Sequence, residues 1–227
     1  MGVTLDFQAV LERWPSFFSG ALLTLELACF ATLCGGLLGT LAAVGRGSHQ
    51  RVIAAICKAY VEAIRNTPLL VQIFLVYFGL ASLGLKLSAF TVAVAALTIN
   101  VGAYTAEIMR AGFESIPTGQ IEAAEGLALS RLQIYWHIIL LPAIEKVYPS
   151  LTSQFVLLML ASSVCSQISA EELTAVANYI QSDTYRAFET YIVVAVIYIA
   201  LSLVMRAGFW GLGFVLFPRR RRLGTSL

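Results

Sequence analysis

The chain has 227 residues, of which 59% are hydrophobic and 12% charged, with a net charge of +2. A water-soluble domain carries about 45–50% apolar and about 25% charged residues, so this composition excludes an ordinary soluble globule. The small net charge gives no bulk electrostatic reason to expect a nucleic-acid partner, and the length allows one domain.

A bilayer core of about 30 Å needs roughly 20 apolar helical residues to cross it. Five runs meet that test: Phe17 to Val44, a run within Ile53 to Leu85, Ala89 to Ala106, Tyr148 to Ile168, and Tyr191 to Met205. A further apolar stretch, Gly208 to Phe217, follows Arg206. The runs are continuous rather than alternating, which favours helices, since helices satisfy their own backbone in lipid. The expected fold is therefore all-α, with five transmembrane helices. The divisions are an external N-terminal segment over 1–16, a membrane domain over 17–217 and a basic tail over 218–227. The N-terminus, with Asp6, Glu12 and Arg13, lacks the pattern of a cleaved signal, so the first run reads as a retained span.

Orientation follows from the Lys and Arg residues between runs. Twelve fall on one side: Arg46, Arg51, Lys58, Arg65, Arg110, Arg131, Lys146, Arg206 and Arg219 to Arg222. Three fall on the other: Arg13, Lys86 and Arg186. The N-terminus is expected outside and the C-terminus in the cytoplasm, which suits an odd number of crossings.

Two inter-span segments stand out. On the cytoplasmic side, 110–141 holds Ser115-Ile116-Pro117-Thr118-Gly119-Gln120-Ile121-Glu122-Ala123-Ala124-Glu125-Gly126-Leu127-Ala128-Leu129-Ser130. Pro117 suits a helix start. Glu122 and Glu125 are placed early in that helix, where its dipole favours anions. Ile121, Ala124, Leu127 and Ala128 are spaced to share one face. Two glutamates and few cations disfavour an anionic lipid surface, so the segment reads as a docking helix for a cytoplasmic partner. On the outside, 169–189 carries Glu171, Glu172, Asp183 and Glu189 and does not read as an ordinary loop.

Ionisable groups at membrane depth are costly and face water or a partner. Lys58, Glu62 and Arg65 are spaced for an ion-pair ladder. Pro68, three residues after Arg65, permits a kink. Glu107 is spaced to pair with Arg110, and Glu26 stands alone in the first run. Asn100, Gln154 and Gln167 suit hydrogen bonds between helices. The cysteines and the two histidines have no metal-ligand spacing, and the chain has no phosphate-binding GxxxxGK loop. If ATP is used, another chain binds it.

Glu122-Ala123-Ala124, followed by Ser130, Gln133 and Pro142, resembles the EAA loop of bacterial ABC importer permeases. Ser19-Gly20 to Thr24-Leu25 with Gly35, Gly39 and Arg46 is similar to the first span of their polar amino acid branch, which includes opine carriers. Arg65-Asn66-Thr67-Pro68-Leu69-Leu70-Val71-Gln72 with Tyr77-Phe78-Gly79 is similar to its second. Ala103 to Arg110-Ala111-Gly112, leading into Ile116 to Gln120, resembles its third span, and Glu172-Leu173-Thr174 its outer segment. The resemblance covers about Ser19 to Val204. It departs at Ala128, where a glycine is expected six residues after Glu122. Pro142 falls one residue later than the usual Leu-Pro. At Leu160-Ala161-Ser162-Ser163 the family usually has Lys-Asp-Thr-Ser.

The resemblance implies a type I ABC importer permease in a bacterial inner membrane, moving polar amino acids by alternating access. It implies two ATPase subunits that hold the ATP and magnesium, an extracytoplasmic solute-binding protein and a second permease chain. The missing charged pair favours a heterodimer, with a homodimer as the alternative. Gln120, Glu122, Ala123, Ala124, Gly126, Leu127 and Ser130 are the expected coupling residues. Arg65, Pro68, Gln72, Asn100, Tyr104, Glu107, Ser162, Ser163 and Gln167 are the expected pathway residues. Catalytic, metal and cofactor residues are not expected in this chain. A secondary transporter is the main rival, but Asp is absent from every run and ion-coupled carriers need mid-membrane carboxylates. A membrane-embedded enzyme would need a clustered His, Asp or Glu site.

Overall fold

A computed structural model describes residues 5–217, all of whose regular elements are helical. The arginine block of the expected basic tail lies outside the described residues. The elements are α1 (Gln8–Leu11), α2 (Trp14–Arg46), α3 (Arg51–Arg65), α4 (Leu69–Ser82), α5 (Ala89–Glu114) and α6 (Thr118–Gly126). They continue with α7 (Arg131–Gln133), a π-helical stretch (Ile134–Leu140), α8 (Leu141–Ala161), a 3₁₀ stretch (Ser162–Ile168), α9 (Leu173–Thr184) and α10 (Ala187–Leu216).

Four described helices are long and apolar enough to cross a membrane: α2, α5, the continuous rod Arg131–Ile168, and α10. The fifth candidate span is broken. α3 and α4 pass the test only together, and they meet at an angle of 113°. The break falls where Pro68 removes a backbone donor and pushes Thr67 out of the helical region.

Several boundaries differ from the sequence expectation. α5 continues past Ala106 to Glu114, and the fourth span starts back at Arg131 rather than Tyr148. Arg206 does not end the last span, because α10 runs unbroken through it to Leu216. The segment 169–189, expected to be no ordinary loop, contains α9, whose Leu173, Ala177 and Ile180 are buried against Val10, Phe17 and Ala21. An apolar face of twelve residues is too short to register as a span, yet it seats the helix inside the bundle.

α2 and α5 form the closest helix pair. A methyl group built on Gly39 would lie 2.5 Å from the Gly102 carbonyl oxygen. Lipid tails are as apolar as the side chains, so close backbone approach supplies the attraction that hydrophobic burial cannot. Asp183 on α9 pairs with Arg13, and Arg186 lies 3.6 Å from both Asp6 and Glu189. These contacts fasten the N-terminal segment across one end of the bundle.

Candidate functional site

At the break between α3 and α4 the last carbonyls of α3 run short of intrahelical donors: those of Glu62 and Ile64 accept from the Asn66 and Thr67 N–H groups at 3.2 and 3.4 Å. Three side chains capture them. The Asn66 amide donates to the Glu62 carbonyl at 2.7 Å, and the Thr67 hydroxyl donates to the Ala63 carbonyl at 2.9 Å. Gln72 Nε2 reaches back from α4 to the Ile64 carbonyl at 2.8 Å and the Thr67 carbonyl at 3.0 Å. Gln72 Oε1 in turn accepts from Asn100 Nδ2 on α5 at 2.8 Å. Both amides are buried. Gln72 and Asn100 therefore lock the bend to the central helix, and their polar atoms face each other rather than an open path.

Beside this lock lies a charge cluster. Arg46 from the end of α2 donates to Glu107 at 2.6 Å, Arg65 stands 3.6 Å from the same carboxylate, and Arg110 pairs with it through the next turn of α5. Arg110 also pairs with Glu114. The Arg65 guanidinium lies 5.8 Å from the centre of the Tyr104 ring, a cation–π contact. The pairing of Glu107 with Arg110 matches the sequence expectation. Arg46 was missed as a partner, because its 61-residue separation from Glu107 leaves no local signal. The expected ladder does not form: among the described residues no ion pair joins Lys58, Glu62 and Arg65 to one another. Glu62 instead lies 3.4 Å from the Asn66 amide.

The altered fourth-span motif falls where α8 changes to 3₁₀ geometry. Ser162 is fully buried, and its hydroxyl donates to the Met159 carbonyl at 2.7 Å. Ser163 is half-buried and Gln167 is exposed, so these two, not Ser162, offer polar groups at the surface.

Glu172 was quoted only as part of a motif, yet it is the most enclosed carboxylate among the described residues. It caps α9, accepting from the Thr174 and Ala175 N–H groups and the Tyr198 hydroxyl, each at 2.9 Å. Burial pushes its carboxyl above the usual range, against the opposing pull of those donors.

At the other end, α6 starts after Pro117 in extended geometry. Ala124 is buried and Ile121 half-buried, while Gln120, Glu122, Ala123, Glu125 and Gly126 are exposed. Both glutamates lie beyond the first turn, so the expected dipole placement does not hold. The helix also ends before Leu127 and Ala128, so they do not extend its inward face, and Leu127 is 77% exposed. Ala128 takes a left-handed conformation with φ 55°. Its N–H donates to the Glu125 carbonyl and that of Leu129 to the Ala124 carbonyl. This is a Schellman ending, whose left-handed position usually holds glycine. The departure noted at Ala128 falls at that position. Ser130 caps α7 in a capping box with Gln133.

Residues 35–209 match the family described as binding-protein-dependent transport system inner membrane component. The chain is 34% identical to the octopine transport system permease protein OccM of Rhizobium radiobacter, over 94% of this chain and 93% of that one. It is 35% identical to the probable glutamine ABC transporter permease protein GlnM of Bacillus subtilis, over 90% and 94%. A crystal structure of an amino acid ABC transporter with histidines superposes with a TM-score of 0.84 at 38% identity, covering 96% of this chain and all of that chain. An inward-facing MetNI methionine ABC transporter shares the fold, with a TM-score of 0.73 at 19% identity. This chain belongs to the binding-protein-dependent transport system inner membrane components and is a membrane-spanning permease subunit of an ABC transporter.

Proposed function

We propose that this chain forms one half of the membrane pathway of an ATP-driven importer for polar amino acids or opines. The observation that carries the reading is α6, a nine-residue helix with most of its surface exposed, in a chain similar along its length to octopine and glutamine permeases. Two ATPase subunits dock there, bind ATP and magnesium, and drive the spans between inward- and outward-facing states by binding the two states differently. A solute-binding protein delivers the ligand on the opposite face. The N-terminus lies outside and the C-terminus in the cytoplasm of a bacterial inner membrane.

The pathway residues in this proposal are Arg65, Tyr104, Glu107, Ser163 and Gln167. Pro68, Gln72 and Asn100 hold the bend that presents Arg65. The fourth-span motif offers hydroxyls but no formal charge, and a zwitterion at membrane depth needs partners for both its charges. This supports a second, different permease chain that supplies the charged contacts.

The test is reconstitution with an ATPase subunit and a solute-binding protein from the same organism, with and without a second permease. Glutamine, histidine, arginine and octopine would be assayed as stimulants of ATP hydrolysis and as cargo. Stimulation by at least one of them is expected with the second permease present. Stimulation without it would replace the heterodimer with a homodimer, and silence in both mixtures would overturn the assignment of cargo.

A further inference from the structure

Arg206 is the one Lys or Arg in the interior of α10, a helix otherwise uncharged from Tyr191 to Leu216. It is exposed, and among the described residues it has no ion pair or hydrogen bond. Its face of the helix carries Ile199, Leu203 and Trp210, each more than 60% exposed. A guanidinium on an apolar face at membrane depth requires an anion or water.

The local geometry supplies a place for an anion. Arg206 and Trp210 border a groove of about 260 Å³ whose other wall is formed by Tyr148, Pro149, Thr152 and Ser153 of α8. The Tyr148 hydroxyl donates to the Phe209 carbonyl at 2.6 Å and fixes the two helices side by side. The Thr152 hydroxyl is committed to the Pro149 carbonyl. The other lining residues whose side chains carry donors are Arg206, Ser153 and Trp210. Among the described residues no carboxylate borders it.

Depth decides what the anion is. Glu189 sits in the ion-pair cluster at the end of α10 that is external in the topology proposed above, on which this inference rests. At 1.5 Å per residue, Arg206 lies about 26 Å further along the helix. A hydrocarbon core is about 30 Å thick, which puts Arg206 just inside the opposite boundary, within reach of the headgroups. Trp210, one turn on, lies at the level where indoles mark the interface.

We propose that this groove binds the phosphate of an anionic phospholipid in the cytoplasmic leaflet. Arg206 and Ser153 hold the phosphodiester, and Trp210 lies against the glycerol and first acyl carbons. Basic grooves between spans on the cytoplasmic side suit such headgroups.

The test uses the full chain assembled with its partner subunits, with Trp14, Trp136 and the partners' tryptophans replaced by phenylalanine so that Trp210 alone fluoresces. Nanodiscs would contain brominated phosphatidylglycerol or brominated phosphatidylcholine. Preferential quenching by phosphatidylglycerol is expected, and Arg206→Gln should reduce that preference about five- to tenfold, the worth of one cation at a charged surface. Arg206→Lys should retain most of it. Native mass spectrometry of the unaltered-tryptophan chain gives a second readout: Arg206→Gln should lose a retained phosphatidylglycerol. Equal quenching by both lipids, or no loss in Arg206→Gln, would overturn the proposal. Loss of the preference on adding millimolar inorganic phosphate would assign the groove to a free anion instead. Absence of quenching by either lipid would show that a protein surface covers it.

Discussion

Asn100 donates its side-chain amide to Gln72 Oε1 at 2.8 Å, and Gln72 turns its own amide on the carbonyls of a broken helix. The central span thus holds the bend of its neighbour through two uncharged side chains. We expect Gln72→Leu to take their Gln72 partner from the Asn100 amide and the Thr67 carbonyl, at a cost of about 1–3 kcal/mol. For a chain of this size that lowers Tm by several degrees, at about 2–4 °C per kcal/mol. Asn100→Leu added to Gln72→Leu should cost less than the sum of the single changes, because the two share one interaction. Additive losses in thermal unfolding would show that the pair does not act as a unit.

Glu107 balances Arg46, Arg65 and Arg110, and its removal leaves three guanidiniums facing one another. Glu107→Gln keeps the shape and removes the charge. Hydrogen bonds to charged groups are worth about 1.5–3 kcal/mol, so the loss should be at least that of one such bond. Glu114→Gln breaks a pair whose carboxylate is 63% exposed, and exposed pairs contribute about 0–1 kcal/mol. Transport and thermal stability should therefore fall for Glu107→Gln and change little for Glu114→Gln. Equal effects would assign Glu107 to the solvated surface.

The apolar runs announced four membrane-length helices and a fifth candidate, and Pro68 announced the break in that fifth, because both are local signals. The i, i+3 spacing announced the Glu107–Arg110 pair in the same way. The lock around Gln72 was not legible, since nothing in a sequence says which carbonyls a bend will free. The Arg46–Glu107 pair depends on how α2 lies on α5. α9 escaped notice because its apolar face is too short to resemble a span, and only its seat against Phe17 and Ala21 gives that face meaning. The candidate pathway was legible as a set of polar residues. Burial then separated those that fasten helices, such as Asn100 and Ser162, from those with open surface, such as Gln167.

Ala128 holds a left-handed conformation at the end of α6. A side chain with a Cβ costs about 1–2 kcal/mol there, and glycine avoids that cost. Ala128→Gly should sharpen the end of α6 and slow hydrogen exchange at the Ala128 and Leu129 amides, which close the turn. Ala128→Val should do the opposite. Faster exchange in the glycine variant would show that chain entropy, not strain, governs this turn.

Gly126 has open space where a Cβ would point, with nothing within 4 Å. Gly126→Trp should therefore leave the permease folded and inserted at its normal Tm. If α6 is the docking element, the same variant should lose co-purification with the ATPase. A variant that retains the ATPase and normal uptake would move the docking surface elsewhere.

Glu172 links α9 to α10 by accepting from Thr174, Ala175 and Tyr198 in a site closed to solvent. Burial holds its carboxyl above the ordinary range, so folding favours the protonated form. The sign follows: this stabilisation is fully present below the ordinary carboxylate pKa of about 4.3 and is lost as pH rises through the higher folded value. Glu172→Gln keeps an acceptor for the backbone donors and removes the titration. The difference in Tm between the natural chain and Glu172→Gln should then shift against the natural chain as pH rises from about 4 through the folded value and level off above it. Glu172→Ala, which removes the cap, should cost about 1 kcal/mol or more at every pH. Comparing the three proteins by thermal unfolding across that range checks the assignment. A Glu172→Gln difference that does not vary with pH would mean that water reaches the carboxyl and that α9 is not sealed against the bundle.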